Sequence, residues 1–337
     1  RGSIISSSIM GEVLQAGNVA VITGASSGIG RAVARRCARL QMKVVLADVD
    51  ASELEEAREE AAASAASPGD VMAVPTDVRD GAALVALQQA TWQKFGGCHF
   101  LMNNAGTGVG GGSGAPLATW RSTLDVNLMG PVHGCHAFVE PMTTFLAKSD
   151  AAGLIVNTGS KQGITMPPGN LVYNTSKAAL KCFTEGLEHE LRTAAASKEG
   201  GGGSGSPTRR LRAALLVPGW VNSSIALKAK RAELEASGAA AEEMTPEALR
   251  ASTFFHEAKP AAGAWMPDQV VDFMLEELAK GKFYVICPDN DVDRETDNLR
   301  MTWTMQDITL DRPPLSRWHD DHKDSFTAFL EENRKKG

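Results

Sequence analysis

Tyr173 and Lys177 have the residue types and the spacing needed for proton transfer. They are four residues apart in a segment predicted to be helical, so both side chains lie on one helix face. A neighbouring ammonium favours the phenolate and lowers the pKa of a tyrosine from its ordinary value of about 10, which makes proton exchange with an alcohol feasible near neutral pH. Isolated pairs of this kind are also common on helix surfaces, so the surrounding sequence must decide between the two interpretations.

Two further polar residues favour the chemical interpretation. Ser160 follows a predicted strand upstream of Tyr173, where its hydroxyl can polarise a substrate carbonyl. Asn127 lies at a predicted helix bend that can hold a proton-relay water. Together the four residues predict acid–base chemistry on an alcohol or a carbonyl group.

A glycine-rich turn near the start of the chain supplies a second chemical feature. The apolar strand Val19–Ile22 leads into Thr23-Gly24-Ala25-Ser26-Ser27-Gly28-Ile29-Gly30, and a helix follows. Glycines in such a turn allow a sharp bend and a close approach of the backbone to a pyrophosphate, while the helix N-terminus favours the anion. This order predicts a dinucleotide site, and the alternative is a plain structural turn.

Asp48 ends the next predicted strand, where its charge bears on the choice of cofactor. A carboxylate at this point accepts hydrogen bonds from the adenosine ribose and repels a 2′-phosphate, so it predicts NAD rather than NADP. The alternative is that Asp48 only caps the following helix. Arg31 and Arg35 are the nearby bases, and we expect them to point along the first helix, away from the 2′ position.

Composition excludes several classes of protein. The net charge of −6 over 337 residues provides no basic stripe for nucleic acid. Five scattered cysteines indicate a reducing compartment, either the cytoplasm or an organelle interior, rather than secretion. No apolar run approaches the ~18 residues of a membrane span. Two histidine pairs, His133/His136 and His319/His322, lack a further ligand cluster, so we expect no metal.

Strands alternate with helices along most of the chain, which predicts a parallel sheet covered on both faces. Trp120 to Phe145 is predicted to be helical with an interruption at Gly130-Pro131, and a second long helix runs from near Val172 to about Ala196. We expect residues 1–11 to be a leader or tag remnant, 12–287 a single domain, 197–208 a flexible insertion within it, 223–266 a helical lid, and 288–337 a C-terminal extension that packs on the domain or on a partner subunit.

The joint occurrence of these motifs resembles the classical short-chain dehydrogenases/reductases. The resemblance covers about Asn18 to Cys287 and rests on the glycine-rich turn, Asn103-Asn104-Ala105-Gly106, Asn127, Ser160, Tyr173-Asn174-Thr175-Ser176-Lys177 and Pro218-Gly219. Gly159 stands where the family often has a serine, and Asn222-Ser223 replaces the usual threonine after Pro-Gly. The resemblance implies a Rossmann-like, doubly wound α/β fold.

It also implies roles for individual residues. Tyr173 would be the general acid/base, Lys177 would lower its pKa and hold the nicotinamide ribose, and Ser160 would orient the substrate oxygen. Asn127 would support a water chain from Lys177. The cofactor would be bound by Gly24, Ser26, Ser27, Gly28, Ile29, Asp48, Asp77, Val78, Asn104, Ala105, Gly106, Tyr173, Lys177, Pro218, Gly219, Val221 and Ser223, and the substrate by Gly163, Ile164, Met166 and Trp220.

The function predicted is an NAD(H)-dependent interconversion of a secondary alcohol and a ketone. Because the expected pocket segments are apolar with few bases, we expect a bulky apolar substrate, and arginines converging on the pocket would contradict this. Three alternatives stay open: an NADPH-dependent carbonyl reductase, a non-catalytic cofactor-binding scaffold, and a non-redox lyase or epimerase on the same fold. The resemblance also implies a homodimer or homotetramer.

Overall fold

A seven-stranded parallel sheet forms the centre of the molecule. The computed structural model describes residues 9–149, 151–197, 211–238, 240–245, 248–249 and 260–334. The strand order is β3-β2-β1-β4-β5-β6-β7 and every neighbouring pair is parallel. The strands are β1 Val19–Thr23, β2 Lys43–Asp48, β3 Val71–Pro75, β4 Phe100–Asn103, β5 Gly153–Thr158, β6 Leu211–Val217 and β7 Tyr284–Ile286. The predicted doubly wound α/β fold is confirmed.

Helices cover both faces of this sheet. They are α1 Ile9–Val13, α2 Gly28–Arg39, α3 Ala51–Ala62, α4 Gly81–Phe95, α5 Leu117–Leu124, α6 Gly130–Ser149, α7 Gln162–Thr165, α8 Leu171–Ser197, α9 Ile225–Ser237, α10 Pro267–Ala279, α11 Arg294–Thr309 and α12 Lys323–Arg334. Short 3-10 turns occupy Pro68–Asp70, Ala241–Met244, Ser316–Trp318 and Asp320–His322.

The apolar core is divided by the sheet, because successive strand side chains point to opposite faces. Ala20 and Ile22 of β1 belong to one buried cluster, which includes Val270 and Met274 of α10. Val21 belongs to the cluster on the other face, which includes residues of α4 and α6 such as Leu87, Phe138 and Met142. Burial on both sides explains why β1 contains only apolar residues before Thr23.

The site lies where the winding of the sheet reverses. β1 pairs with β2 on one side and with β4 on the other, so the loops after β1 and β4 separate at their carboxyl ends and leave a crevice. The loops after β5 and β6 extend the same edge. All of the sequence motifs follow strands that end at this edge or lie on helices beside it.

The interruption predicted at Gly130-Pro131 is wrong in position. The chain continues from α5 through a π-helical turn, Asp125–Met129, directly into α6, so the irregularity precedes Gly130 and contains Asn127. Pro131 fits because it lies in the first turn of α6, where a missing N–H is tolerated. A π-turn displaces side chains from the regular helical pattern and is frequent at functional sites.

The C-terminal extension has a small aromatic core of its own. The indole of Trp303 on α11 donates a hydrogen bond to Ser316 Oγ (2.8 Å), and its ring meets Phe326 and Phe329 edge to face at centroid distances of 5.2 Å. Arg312 lies over the same ring at 3.7 Å. The extension also contacts the sheet domain through an ion pair between Lys161 and Asp297 (2.6 Å).

Parts of the expected leader, insertion and lid fall outside the described residues, namely 1–8, 198–210, 239, 246–247 and 250–259. The described part of the lid consists of α9 and the Ala241–Met244 turn, and Trp265 forms a parallel bridge with Val221. None of the described helices is long and apolar enough to span a membrane. Nor do the described His, Cys, Asp and Glu residues group in a way that could hold a metal, and His133 lies against the carbonyl of Val78 at 3.0 Å.

Candidate active site

A cavity of about 700 Å³ follows the carboxyl edge of the sheet. Most of the predicted site residues line it: Gly24, Ser27, Gly28, Ile29, Asp48, Asp77, Val78, Asn104, Ala105, Gly106, Ser160, Tyr173, Lys177, Pro218, Gly219, Trp220, Val221 and Ser223. The tertiary structure therefore brings together motifs from loops after β1, β2, β3, β4, β5 and β6.

Five predicted residues do not line this cavity. Ser26 is buried behind the glycine-rich turn, where its backbone N–H donates to Asp48, and Asn127 is buried behind the cavity wall. Gly163, Ile164 and Met166, which we predict for the substrate pocket, lie beside cavity-lining residues but do not line the cavity themselves. Gly163 allows α7 to approach α8, since a Cβ there would lie 2.6 Å from the Lys177 carbonyl carbon, Ile164 packs on the end of β6, and Met166 ends α7 in a left-handed conformation.

The glycine-rich turn has the backbone geometry that its composition predicts. Gly24 and Gly28 have φ values of +65° and +54°, a region that side chains other than glycine rarely adopt. A Cβ on Gly30 would lie 2.1 Å from the Gly24 carbonyl oxygen. Ser27 precedes α2, so the N–H groups of this helix face the cavity without a side-chain cap. This is a suitable site for a phosphate group.

The loop after β4 is hydrogen-bonded to the glycine-rich turn. The backbone N–H groups of Asn104 and Ala105 both donate to Thr23 Oγ1, at 3.0 and 3.1 Å. The Asn104 side-chain amide donates to the carbonyls of Thr23 and Gly24, and its oxygen accepts from Thr158 Oγ1. Asn104 thus holds the loops after β1, β4 and β5 together at the crevice.

Asp48 is fixed by two backbone donors. Its carboxylate accepts from Ser26 N (3.1 Å) and from Asp50 N (3.3 Å), while Asp50 itself caps α3 by accepting from Glu53 N (3.0 Å). The capping alternative for Asp48 is therefore wrong. Asp48 also lines the cavity, so its negative charge faces the region next to the glycine-rich turn.

The bases near Asp48 are paired with carboxylates. Arg31 and Arg35 both bind Glu60, at 2.7 and 2.6 Å, and neither lines the cavity. Sequence reasoning missed two other bases that line the cavity. Lys228 binds Glu53 at 2.7 Å and lies 3.5 Å from Ser27 Oγ, and Arg79 binds Asp77 at 2.6 Å. Arg79 also lowers the pKa of the Asp77 carboxyl.

Ser160, Tyr173 and Lys177 meet at the β5 end of the cavity. The phenol hydroxyl of Tyr173 shares a hydrogen bond with Ser160. The Lys177 ammonium donates to the Thr158 carbonyl at 2.8 Å and lies 5.8 Å from the centroid of the Tyr173 ring. The helical spacing of four residues, the end of β5 and the packing of α7 on α8 together bring the three side chains to one point.

The acidities of these groups differ from the sequence prediction. Burial raises the pKa of Tyr173, and the hydrogen bond with Ser160 opposes the rise only in part. Burial also lowers the pKa of Lys177 to about 8. The net shift of the Tyr173 pKa is upward, because desolvation outweighs the hydrogen bond with Ser160.

The oxygen and the amide group of the Asn127 side chain are both hydrogen-bonded to other residues of the protein. Its oxygen accepts from Thr107 N (2.8 Å), and its amide donates to the Thr107 carbonyl (3.1 Å) and to Ser176 Oγ (3.0 Å). These bonds tie the π-turn to the loop after β4 and to α8, one residue from Lys177. A Cβ on Gly106 would lie 3.4 Å from Asn127 Oδ1 and 3.7 Å from Lys177 Nζ, so the two side chains flank the same point of the cavity wall.

Charged residues of the C-terminal extension also reach the cavity. Lys161, Asp289, Asp297, Arg300, Arg317 and Trp318 all line it. The prediction of an apolar pocket with few bases is wrong on this point, although apolar surface is also present. Lys161 directly follows Ser160 along the chain. No local motif marks the other five residues, since they come from an extension that only the tertiary fold brings beside Ser160.

Comparison with known proteins identifies related chains. The short chain dehydrogenase family profile matches residues 18–195. SadH of Mycobacterium tuberculosis, which is named as an oxidoreductase, is 36% identical over 179 residues, or 53% of this chain and 62% of SadH. The matched region thus spans about three fifths of that relative.

Solved structures resemble the chain over a longer stretch. A short chain dehydrogenase/reductase from Burkholderia phymatum, in complex with NAD, is 34% identical with a TM-score of 0.68, and the alignment covers 89% of this chain and 96% of that one. L-sorbose reductase from Gluconobacter frateurii, complexed with NADPH and L-sorbose, is 24% identical with a TM-score of 0.59, covering 79% and 91% of the two chains. The second similarity concerns the fold alone.

Proposed function

The chain belongs to the short-chain dehydrogenase family, and on this premise we propose that it is an NAD(H)-dependent oxidoreductase that interconverts a secondary alcohol and a ketone. One observation carries the proposal: Tyr173, hydrogen-bonded to Ser160, and the buried Lys177 meet in a cavity that also contains the glycine-rich turn. A scaffold without chemistry has no need of a lysine buried at this cost in desolvation. A role in proton transfer explains why this lysine is buried despite the free-energy cost of desolvation.

The cavity has the features that a dinucleotide requires. Gly24 and Gly28 keep the turn free of side chains, and the N-terminus of α2 offers N–H groups for the pyrophosphate. The residues that would hold NAD are Gly24, Ser27, Gly28, Ile29, Asp48, Asp77, Val78, Asn104, Ala105, Gly106, Tyr173, Lys177, Pro218, Gly219, Val221 and Ser223, with Ser26 acting through Asp48. When bound, the nicotinamide accepts or supplies the hydride.

The chain itself supplies the proton. The Tyr173 hydroxyl gives a proton to the ketone oxygen during reduction and takes one from the alcohol during oxidation, while Ser160 holds that oxygen by a second hydrogen bond. Because burial raises the pKa of Tyr173, its hydroxyl is protonated at neutral pH, which suits reduction. Lys177 stabilises the phenolate after proton transfer and holds the nicotinamide ribose.

Asn127 acts by position in this scheme. All the polar atoms of its side chain are bound to Thr107 and Ser176, so any contact with a relay water would come from the backbone of its π-turn. The side chain keeps the cavity wall beside Lys177 in place.

Two observations bear on the choice between NAD and NADP. Asp48 presents a carboxylate to the cavity, which disfavours a 2′-phosphate, and the Burkholderia phymatum structure contains NAD. The NADPH alternative is favoured by Lys228 and Arg79, which also line the cavity, although each is paired with a carboxylate. We propose NAD because both nearby bases are neutralised.

Fluorescence titration with NADH and NADPH tests the cofactor. Asp48→Asn removes the charge but keeps an oxygen that can accept from Ser26 N, and Glu140→Gln, an exposed site on α6, is the matched control. The wild type and the control should prefer NADH by about tenfold or more, equivalent to ~1.4 kcal/mol, and Asp48→Asn should lose most of this preference. An unchanged preference in Asp48→Asn would remove the role given to Asp48.

Tyr173→Phe tests the chemistry separately. The variant should bind NADH like the wild type but lose secondary alcohol oxidation by about 100-fold or more, because general acid–base catalysis contributes ~10²–10⁴. A variant that stays active would show that the proton moves through another group. Failure of the wild type to bind either cofactor would refute the NAD(H) proposal, whereas cofactor binding without turnover in the wild type would favour the non-catalytic scaffold.

We also propose that the protein is a homodimer or homotetramer. Leu117 on α5 and Met129 in the π-turn are apolar but exposed, with 72% and 36% of their surface accessible. In the family that the chain resembles, the helical segments near Trp120 to Phe145 and Val172 to Ala196 usually pair across two-fold axes; Met129 lies within the first of these and Leu117 just before it. Sedimentation velocity measures the mass directly, and a monomer at micromolar concentration would contradict the proposal.

A further inference from the structure

Arg300 and Arg317 form one wall of the cavity on the substrate side. Arg300 lies on α11 and Arg317 in the Ser316–Trp318 turn, so both belong to the C-terminal extension. α11 packs against α7, the short helix that begins directly after Ser160 and Lys161. The two guanidinium groups are therefore on the same side of the cavity as Ser160, away from the glycine-rich turn after β1.

Neither guanidinium forms an ion pair within the described part of the chain. Nε of Arg300 and Nη1 of Arg317 are buried there without a hydrogen-bond partner, and no ion pair is formed by either side chain. By contrast, cavity-lining Arg79 binds the carboxylate of Asp77. Arg317 instead stacks on the ring of Trp318, with its central carbon 4.3 Å from the centroid.

Two carboxylates in this region, those of Asp289 and Asp297, are already paired with Lys161. Lys161 Nζ binds Asp289 Oδ2 at 3.0 Å and Asp297 Oδ2 at 2.6 Å. Asp297 interacts electrostatically with both arginines and Asp293 with Arg300, but neither carboxylate forms an ion pair with either guanidinium. Burial lowers the pKa of Arg317 to about 10, with a further contribution from Arg300, and the negative charge of Asp297 opposes this only in part.

We propose that Arg300 and Arg317 bind a carboxylate of the substrate, so that the alcohol or ketone is a hydroxy acid or oxo acid whose acid group lies apart from the reacting carbon. This inference rests on the proposed function and names its substrate class. A guanidinium donates two parallel hydrogen bonds to a carboxylate, and Trp318 holds one guanidinium plane in place. Because Asp289, Asp293 and Asp297 already place negative charge beside this wall, a singly charged carboxylate suits it better than a phosphate ester, which carries nearly two negative charges.

This assignment gives the C-terminal extension a role in specificity. The apolar part of the cavity would enclose the carbon chain between the reacting carbon and the acid group, and Ser160 and Tyr173 would hold the substrate oxygen at the other end. A neutral alcohol would leave the two arginines buried without a partner, which penalises it relative to the acid.

Paired probes of different length test the charge requirement. NADH oxidation is followed with 4-oxopentanoate, 6-oxoheptanoate and 9-oxodecanoate, each against its methyl ester, and with a phosphate monoester of 4-hydroxy-2-butanone. Since a hydrogen bond to a charged group contributes enough for a factor of about 10–100, at least one acid should exceed its ester in kcat/KM by that factor, and should exceed the phosphate ester.

Arg300→Gln and Arg317→Gln should each reduce this acid-to-ester ratio by about tenfold, mainly through KM, while the kcat/KM of the ester changes little. Arg121→Gln on α5, an exposed arginine outside the cavity, is the matched control and should leave the ratio unchanged. A wild type that turns over esters as well as acids, or a ratio that survives both substitutions, would overturn the inference. A preference for the phosphate ester would replace the carboxylate with a phosphate.

A second readout separates this inference from the proposed function. Thermal stabilisation by 9-oxodecanoate, measured without cofactor, should exceed that by its methyl ester in the wild type and disappear in Arg317→Gln. NADH binding is measured in every variant and should be retained. If NADH fails to bind but the acid still stabilises the wild type, the redox proposal fails and the carboxylate site stands; if NADH binds but no acid exceeds its ester in either assay, the carboxylate site fails alone.

Discussion

The buried ammonium of Lys177 should make the stability of the protein depend on pH in a defined window. Only 4% of Lys177 is exposed, its Nζ donates to the Thr158 carbonyl at 2.8 Å, and burial lowers its pKa from 10.5 to about 8. Below pH 8 the charge is carried in both the folded and the unfolded chain, so the full cost of burying it is present. Between pH 8 and 10.5 the folded chain releases the proton first, and stability from this group rises with pH.

The size of this effect follows from the shift. A change from 10.5 to about 8 at ~1.4 kcal/mol per pKa unit corresponds to ~3 kcal/mol over the whole window, of which ~2 kcal/mol is regained by pH 9.5. Lys177→Met removes the charge and keeps an apolar stem, but leaves the Thr158 carbonyl without its donor, at a cost of about 1–3 kcal/mol. We therefore expect wild type and variant to have similar free energies of unfolding at pH 7.

The assay is urea unfolding of both proteins at pH 7, 8, 9 and 9.5, at one fixed protein concentration. The wild type should gain ~2 kcal/mol relative to Lys177→Met between pH 7 and 9.5, since subtracting the variant removes the titration of every other group. Lys148→Met, an exposed lysine at the end of α6, controls for the loss of one positive charge. A constant difference between wild type and Lys177→Met across this range would refute the depressed pKa and the desolvation argument behind it.

Three further predictions concern the frame of the site. His99 is buried and its pKa is lowered to about 4 by desolvation, so its stabilising contribution, up to ~3 kcal/mol, should be lost as pH falls from 6.5 to 4, and urea unfolding of His99→Gln should show a smaller loss. Gly30→Ala should abolish NADH binding in a titration because its Cβ has no room, whereas Gly186→Ala, at an exposed site in α8 with nothing within 4 Å, should raise unfolding free energy by ~0.5–1 kcal/mol. Lys161→Met should destabilise the protein by ~3–5 kcal/mol in thermal or urea unfolding by leaving the buried Asp297 unpaired, and adding Asp297→Asn should recover much of the loss; an additive double variant would contradict the ion pair.

Local features of the sequence determined the fold and the glycine-rich part of the candidate site. Alternating strands and helices specify a parallel sheet, because strands of continuous apolar residues must be covered on both faces. The glycines of the turn after β1 have the left-handed backbone that their positions predict, and Asp48 ends β2 facing the cavity. Tyr173 and Lys177 share a helix face because four residues make about one helical turn.

The identity of the element that carries Asn127 was harder to predict. Gly130 and Pro131 indicate a break, but proline is tolerated in the first turn of a helix, so α6 begins there without one. The π-turn at Asp125–Met129 is held by side-chain bonds from Asn127 to Thr107 and Ser176, which lie in other elements. No local pattern encodes such bonds.

The acidities of the catalytic groups were decided by burial, which the sequence does not display. Spacing alone predicts that an ammonium lowers the pKa of its neighbouring phenol. In the folded chain both Tyr173 and Lys177 are desolvated, so each shifts towards its neutral form. The direction depends on how completely α8 is covered, and therefore on distant segments.

The charged wall of the substrate pocket was decided by the tertiary structure alone. Lys161 and Asp289 are 128 residues apart, and Arg300 and Arg317 come from an extension with no recognisable motif. The sequence by itself determined what depends on neighbours along the chain: strands, turns, caps and the helical pair. Only the fold decided which charges line the cavity, because an ion pair or an unpaired guanidinium depends on distances in space that residue spacing does not encode.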